Sequence, residues 1–572
     1  MNGLLVTNLD SELDSKNCIK VLQNSFYENM ISKFTDDKLF VETDKYICGL
    51  DGVILNKKEL LENSKTITLL EYIEAELERK NYTFYSLFRG VFNGFIFFKE
   101  SGNLICFVDH FANKPLFYFE KEGKYVVGNT LKDVCDVLVN NNIKGTINQN
   151  AIRDLLTYSF VIRNETLVSE ICRIPAGCYL SFTVDGSFEI QRYFVLSQEN
   201  TIEVSEDEAI EEIDRLFRKA VQLEYEKDIE YGYKHLATLS AGMDSRMNNY
   251  VADSLGYHDI LNVSFAQYES LDMKNPAKMS EELEHKWIYR SLNDASCLLD
   301  WKRMVEYENG LSCYWNAAHE FQTFEVFDWE KYGLYHTGMI GDAILSTSFS
   351  RKRIYKGDFI GASSDFSVKK VSLRTDNEMI DNGMTEELYF LYGRGFQGAN
   401  TGVMPEFRYT EVVSPFLYVD LVEYCMSLPQ EMRYNHNIYF KWVLKKYPKA
   451  AQISWNGVRI KDVLKEPFKV KASKKIHRYK KRLYKKLNIR IKPRKEKPLV
   501  EGMNPLDYWY NSKHHIKQAL DEFYETGIEK WGKYIEDIEA IKDAYSNGLT
   551  MNKTYCITVL AALEEYKDIF DL

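Results

Sequence analysis

The stretch His235-Leu236-Ala237-Thr238-Leu239-Ser240-Ala241-Gly242-Met243-Asp244-Ser245-Arg246-Met247-Asn248-Asn249-Tyr250-Val251-Ala252-Asp253-Ser254-Leu255 changes its period halfway. Leu236 to Leu239 is a short apolar run, the mark of a buried strand. Ser240, Ala241 and Gly242 are small enough to let backbone approach a ligand closely. Beyond Asp244, Met247, Tyr250, Val251, Ser254 and Leu255 fall on one helical face. The order is strand, small-residue loop, helix. A helix N-terminus presents free N–H groups and partial positive charge, which suits a phosphate. A carboxylate in the same turn makes sense with Mg2+ between it and the phosphates, because Mg2+ prefers oxygen ligands.

Residues 240–245, Ser-Ala-Gly-Met-Asp-Ser, resemble the Ser-Gly-Gly-X-Asp-Ser pyrophosphate loop of the ATP pyrophosphatase superfamily. Those enzymes split ATP between the α and β phosphates and transfer AMP to an oxygen. The resemblance implies that Ser240, Ala241, Gly242, Asp244 and Ser245 contact the nucleotide. No Gly-Lys-Ser/Thr follows, so this is not a Walker A loop.

At 572 residues the chain is too long for one core, and at least two domains are expected. Hydrophobic residues at 45% and aromatics at 14% exclude wholesale disorder. A net charge of −11 and a pI near 5.6 argue against nucleic-acid binding. The ten cysteines contain no Cys-x-x-Cys pair, so neither a zinc site nor a disulfide framework is expected, and a reducing cytoplasm fits. The acidic start, Met1 to Lys16, does not read as a signal peptide, and no apolar run is long enough to make the chain transmembrane.

Residues 1–195 read mostly as strand. Phe95–Phe98 and Leu104–Val108 are short Phe/Ile/Val runs bounded by turns, and Glu59–Glu62 and Leu69–Arg79 look helical. Arg89-Gly90-Val91-Phe92-Asn93-Gly94, followed by Asp109-His110-Phe111-Ala112-Asn113-Lys114-Pro115-Leu116-Phe117-Tyr118, resembles the signature of class II glutamine amidotransferase domains. Ile174-Pro175-Ala176-Gly177 and Arg192-Tyr193-Phe194 resemble the linker between the two halves of asparagine synthetases. With the loop at 240–245, the resemblance is to the glutamine-hydrolysing asparagine synthetases and their relatives, which include β-lactam synthetases, lasso-peptide cyclases and asparagine-synthase-like proteins of surface-polysaccharide clusters.

That resemblance implies a nucleophilic cysteine directly after the initiator Met, but Asn2 stands there, and a carboxamide cannot form the thioester. The family's Asn-Gly-Glu stretch for glutamine appears as Asp51-Gly52-Val53. A degenerate amidotransferase domain without glutaminase activity is therefore expected.

Residues 196–572 are expected to hold the synthetase half. Glu206–Ala220 is amphipathic, and Ile260–Phe265 is a second strand. The resemblance implies adenine contacts at Leu239 and Phe265, whose plainer reading is core. Leu334-Tyr335-His336-Thr337-Gly338-Met339-Ile340-Gly341-Asp342-Ala343 is similar to the family's Ser/Thr-Gly-Glu-Gly-x-Asp-Glu segment, which implies an AMP contact at Gly338 and a metal role for Asp342 beside Asp244. Met339 replaces the Glu that handles the amine's proton, and Met cannot move a proton. His336 could, although a His at a strand end is more often simply packed. Ser414 to Asp420, with Leu428-Pro429, resembles the segment behind the family's active site. The family's active-site Lys falls in the region 453–461, where Lys461 is the candidate and Arg459 the alternative.

Lys469 to Lys497 carries fifteen Lys and Arg against the single acid Glu496. It reads as a solvated segment or as a surface for an anionic partner. The fold expected is α/β and α+β: a degenerate Ntn-hydrolase-like αββα sandwich, then an ATP-pyrophosphatase (adenine nucleotide α-hydrolase-like) parallel α/β domain with a helical C-terminal part. The function expected is Mg–ATP-dependent joining of a carboxylate to ammonia or another amine. A larger substrate, such as a polysaccharide uronic acid or a precursor peptide, is one alternative, and a catalytically decayed ATP-binding scaffold is another.

Overall fold

Alternation along the strands builds the N-terminal half. The computed structural model describes residues 3–356, 384–464 and 503–572, so Asn2 and the basic stretch 469–497 lie outside the described residues. Twelve strands come first: β1 (Gly3–Thr7), β2 (Asn17–Val21), β3 (Asn24–Asn29), β4 (Leu39–Glu42), β5 (Tyr46–Ile54), β6 (Gly90–Phe98), β7 (Leu104–Val108), β8 (Phe117–Lys121), β9 (Lys124–Gly128), β10 (Ile171–Arg173), β11 (Cys178–Phe182) and β12 (Phe188–Arg192). They pair antiparallel in two six-stranded sheets, ordered β10-β8-β9-β1-β3-β2 and β12-β11-β7-β6-β5-β4.

Side chains alternate across each sheet. Leu4 and Val6 of β1, Phe95 and Phe97 of β6, and Tyr125 and Val127 of β9 meet between the sheets. Their neighbours point outward. Leu5 and Val126 face α3 (Leu131–Asn140) and α4 (Gln149–Tyr158). Phe92 and Ile96 face α1 (Lys57–Ser64) and α2 (Leu69–Glu78). The result is an αββα sandwich. Thr68 and Glu71 form a reciprocal capping box that starts α2.

The second half turns on a parallel sheet. After α5 (Glu206–Glu230) come β13 (Lys234–Thr238), α6 (Asp244–Ser254), β14 (Ile260–Ala266), α7 (Leu271–Glu282), β15 (Lys286–Ser291), β16 (Tyr332–His336) and β17 (Val412–Val413). The strand order is β15-β14-β13-β16-β17, and every pairing is parallel. From β13 the chain winds outward to β15, then returns to the other side of β13 as β16. The loops after β13 and β16 therefore leave the same sheet edge on either side of the switch point, where open α/β sheets bind ligands.

Helix α5 outruns its expected end at Ala220 and continues to Glu230. Its last turns bury Glu224, Lys227 and Asp228 beside Val221, Leu223 and Tyr225, so buried charge interrupts the apolar pattern. The helices Leu506–Ser512, His514–Trp531, Ile538–Asn547 and Thr550–Glu565 close the molecule. Trp509 and Leu560 from these helices share a core with Ile152 and Leu155 of α4. Among the described residues no helix is long and apolar enough to cross a membrane. All ten cysteines are free thiols.

Candidate functional site

Two loops meet at the switch point. The first follows β13, where the Leu239 N–H donates to Val263 O at 2.9 Å. Serines fold it back on itself. The Ser240 N–H donates to Ser245 Oγ at 3.0 Å, the two hydroxyls lie 2.9 Å apart, and the Gly242 N–H donates to Ser240 Oγ at 3.2 Å. The Ala241 N–H donates to the Asp272 carboxylate at 2.9 Å, so an anion approaching this loop competes with Asp272. Burial raises the Asp272 carboxyl above its usual range, which weakens that competitor's charge.

The second loop follows β16. A Cβ on Gly338 would stand 2.3 Å from Ser245 N, and one on Gly341 would stand 2.6 Å from Asp244 Cγ. Only glycine lets the loops approach this closely. The contact brings Asp342 to Asp244: the Asp342 N–H donates to Asp244 Oδ2 at 3.1 Å. The other Asp244 oxygen accepts the Tyr439 hydroxyl at 2.7 Å. Asp244 is half-buried and Asp342 exposed. Burial, and then the charge of Asp342, pushes the Asp244 carboxyl up to about 7. Neither acid makes an ion pair among the described residues. Two all-oxygen ligands with uncompensated charge suit a divalent cation such as Mg2+, and they are the residues that could hold one.

The other expected residues divide. Leu239 is core, while Ser264 Oγ donates to its carbonyl at 2.6 Å. Phe265, half-buried at the end of β14, stands edge-on to His319 with ring centroids 5.3 Å apart. Met339 is half-buried and apolar, and its carbonyl accepts Ser414 Oγ at 3.0 Å, which seats the 414–420 segment behind the loop. Arg459 and Lys461 are exposed, and among the described residues neither contacts Asp244 or Asp342. Their segment is nevertheless tied to the loop. The buried Arg246 guanidinium donates to Ala241 O at 2.9 Å, Ala450 O at 3.0 Å, Ile453 O at 2.8 Å and Ser454 O at 3.0 Å.

His336 is fully buried in an ionic network. Its Nε2 lies 2.8 Å from Asp228 Oδ2 and its Nδ1 lies 3.3 Å from Glu224 Oε2. Burial opposes its charge, but Asp228 and Glu224 outweigh burial and hold the imidazole up at about 9. His235 completes the group, with Nδ1 2.8 Å from the same Asp228 oxygen. Although these are metal-ligand types, each contact is already a satisfied hydrogen bond, and the group serves as an ion network linking α5 to the sheet.

Tyr439, Arg246 and Asp272 escape sequence reasoning. Arg246 alone left a signal, because it lies inside the decisive stretch on the buried face of α6.

In the N-terminal sandwich, Asp51 sits inside a balanced cluster. Lys114 Nζ lies 2.9 Å from Asp51 and 2.9 Å from Glu411, and Lys38 lies 3.5 Å from Asp51 and 2.9 Å from Glu411. All four residues are buried. Burial opposes the Asp51 charge, yet Lys114 and then Lys38 outweigh it and hold the carboxyl below the usual range. Asp109 shapes the turn that carries Lys114 by accepting the N–H groups of Phe111, Asn113 and Lys114 at 3.0–3.1 Å. Arg89 reaches across to Asp420 at 2.9 Å, joining two of the motif segments.

Residues 38–194 match the family model of the glutamine amidotransferase domain. No curated protein matches the chain. Among solved structures, the chain is similar to an allosteric regulatory enzyme of purine biosynthesis at 12% identity and TM-score 0.21, covering 47% of this chain and 66% of that one. A glutamine phosphoribosylpyrophosphate amidotransferase from B. subtilis, complexed with ADP and GMP, is similar at 11% identity and TM-score 0.21, covering 46% and 66%. An NMN synthetase from Francisella tularensis is similar at 13% identity and TM-score 0.18, covering 39% and 94%. The chain thus spans just under two thirds of the first two, and likenesses this distant carry no argument about its chemistry. Residues 38–194 are a glutamine amidotransferase-like domain, followed in the chain by the parallel sheet that carries Asp244 and Asp342.

Proposed function

We propose that the protein is an ATP-dependent carboxylate–amine ligase, with its nucleotide on the 240–245 loop and its metal between Asp244 and Asp342. The observation that carries this reading is the contact of the two loops, which leaves two acids side by side that no cation pairs with among the described residues. A carboxylate is a poor electrophile. In the reaction proposed, its oxygen attacks the α-phosphorus of ATP and the bond to the β-phosphate breaks, releasing pyrophosphate. The amine nitrogen then attacks the acyl carbon, AMP leaves with the C–O electron pair, and the nitrogen loses a proton. Mg2+, when bound, supplies positive charge that offsets the departing pyrophosphate. The proposed division of the chain is near residue 195.

The amine reaches this site as free ammonia or as part of a substrate, in this reading, and not from glutamine. The position implied for glutamine at Asp51 is filled by the Lys38–Lys114–Glu411 cluster. The apolar Met339 beside the acids supports a substrate other than aspartate, in the class of a uronic acid or a peptide, that brings its own proton acceptor or a deprotonated amine.

Calorimetric titration of Mg–ATP tests the proposal. The parent protein is expected to bind, and Asp244→Asn and Asp342→Asn each to lose at least about 100-fold in affinity, roughly 2.7 kcal/mol, with melting behaviour kept. Equal binding by parent and both variants refutes the metal site and the ligase with it. In a parallel assay, no glutamate above background should appear from glutamine.

A further inference from the structure

A cavity lies away from the two acidic loops. It has a volume of about 400 Å3, and no residue of the 240–245 or 338–342 loops lines it. It opens between the sandwich and the segment Leu391–Gly398, which is a π-helix over its whole length. Such helices are rare and gather at functional sites. One end is walled by Phe111 and Phe396, stacked with centroids 4.7 Å apart.

Its polar lining is cationic. Arg163, Arg173 and Arg192 all border it, and no Asp or Glu does. Arg173, on β10, is 5% exposed. Its Nη2 donates to Val161 O at 2.9 Å, but its Nε has no hydrogen-bond partner and no carboxylate lies within ion-pair distance among the described residues. Asp154 and Glu165 act on it only from farther away, and burial lowers the guanidinium to about 10, so it stays charged at neutral pH. A buried cation without a counter-ion is costly and is normally paired. Arg192 ends β12 on the exposed side, also without an ion pair among the described residues. The turn at Arg163 and Asn164, which also lines the cavity, is held in strain: both adopt φ near 62°, clamped by Gln397, which accepts the Arg163 N–H at 2.9 Å and donates to Asn164 Oδ1 at 2.7 Å. Strain of this kind gathers at ligand clamps.

We propose that this cavity binds an organic oxyanion, a carboxylate or phosphate carried on a ring or apolar body, with Arg173 as its buried cation and Arg192 at its mouth. A planar guanidinium suits an oxyanion because it donates through a fixed fork. The volume suits a small organic molecule, and the stacked phenyl rings suit an unsaturated or apolar body.

Calorimetric titration of the full chain without Mg2+ or ATP tests this, so its failure leaves the ligase reading standing. The probes are phenyl phosphate, benzoate and uncharged benzyl alcohol. At least one of the two anions should bind with Kd under about 1 mM, and benzyl alcohol at least about tenfold more weakly. The tighter anion identifies the source as phosphate or carboxylate. Arg173→Met should cost at least about tenfold in affinity for it. Two further variants guard against misfolding of that one. Arg192→Ala, at an exposed position, should lower affinity several-fold. Gly393→Phe keeps all three arginines and should block binding, because Gly393 lines the cavity and a Cβ there meets nothing within 4 Å. Binding of neither anion, benzyl alcohol binding as tightly as both, or equal affinity in all folded variants overturns the proposal.

Discussion

The Asp51 cluster and the Asp244–Asp342 pair each bring two carboxylates together, yet with opposite outcomes. At Asp51 and Glu411 two lysines supply matching charge, and the Asp51 carboxyl is held low. Among the described residues no cation pairs with Asp244 or Asp342, and burial, then the Asp342 charge, pushes Asp244 up to about 7. A balanced cluster is finished as it stands and acts as a structural tie, here between β5, the 109–115 turn and the residue before β17. An unbalanced pair costs stability until something positive arrives, which is the signature of a site. The first region is balanced within itself, while the second carries acid charge that no cation pairs with among the described residues.

The largest effect expected follows from breaking the balanced cluster. Lys114→Met leaves Asp51 and Glu411 sharing only Lys38 in a dry interior and should cost about 3–5 kcal/mol in urea unfolding. Mg–ATP affinity of the folded fraction should be unchanged. Adding Asp51→Asn to the same chain should recover part of the loss, since a double variant removes one charge of each sign. If the single variant unfolds like the parent, the cluster is not the tie described here.

The next test forces the two acidic loops apart. In Gly338→Ala the new Cβ would meet Ser245 N at 2.3 Å, so backbone must move. Overpacking of this kind costs about 1–3 kcal/mol, and Asp342 should lose its register with Asp244, lowering Mg–ATP affinity. Gly393→Ala is the matched control. Open space surrounds that position, so its stability should stay within about 0.5 kcal/mol of the parent.

How much of this was legible in the sequence depends on the range of the pattern. The strand–loop–helix at 236–255, the strands at 95–98 and 104–108 and the Gly338–Asp342 turn are written in local periodicity and small residues, and the structure has elements at each place. That the two acidic loops share an edge followed from strands parallel in one sheet. Less was legible where partners are far apart in sequence. Lys114 and Glu411 are 297 residues apart, and no motif announces their pairing. Strand β17 has two residues, too few for a period. The second half of α5 is harder to read because its buried residues mix Glu224, Lys227 and Asp228 with Val221, Leu223 and Tyr225. The resemblance at 453–461 rests on a loose motif, and Lys461 and Arg459 are exposed. Arg246 ties that segment to the 240–245 loop through four backbone carbonyls, a contact that no motif announced.

A smaller effect separates the two regions by pH. With its folded carboxyl raised to about 7, Asp244 keeps a proton that the unfolded chain has already released. The folded state binds more protons between about pH 4 and 7, so stability falls as pH rises through that window and levels above it. Asp244→Asn should lack this component. The stability of the parent minus that of the variant, from urea titrations across the window, should decline toward pH 7. Mg2+ added at alkaline pH should raise the parent's melting temperature alone. A flat difference would mean that Asp244 is compensated after all, and the contrast with Asp51 would fail.

The smallest effect expected is also the most local. Tyr439 is fully buried, and its hydroxyl donates to Asp244 Oδ1 at 2.7 Å. Burial and the neighbouring Asp244 hold that phenol well above its ordinary range, so it stays a donor across the working pH range. A donor to a carboxylate favours the charged form, so Tyr439→Phe should raise the Asp244 carboxyl further. The cost should be about 1 kcal/mol at alkaline pH, where the acid is charged, and less at acid pH, where a neutral carboxyl needs the donor less. Mg2+ must displace the Asp244 proton in order to bind. Its apparent affinity in the Phe variant should therefore drop a few-fold near neutrality and return toward the parent's as the pH is raised. Asp244→Asn, in contrast, should lose Mg2+ affinity at every pH. A loss in the Phe variant that does not change with pH would assign Tyr439 to packing alone, and the hydroxyl would have no part in setting the charge of the site.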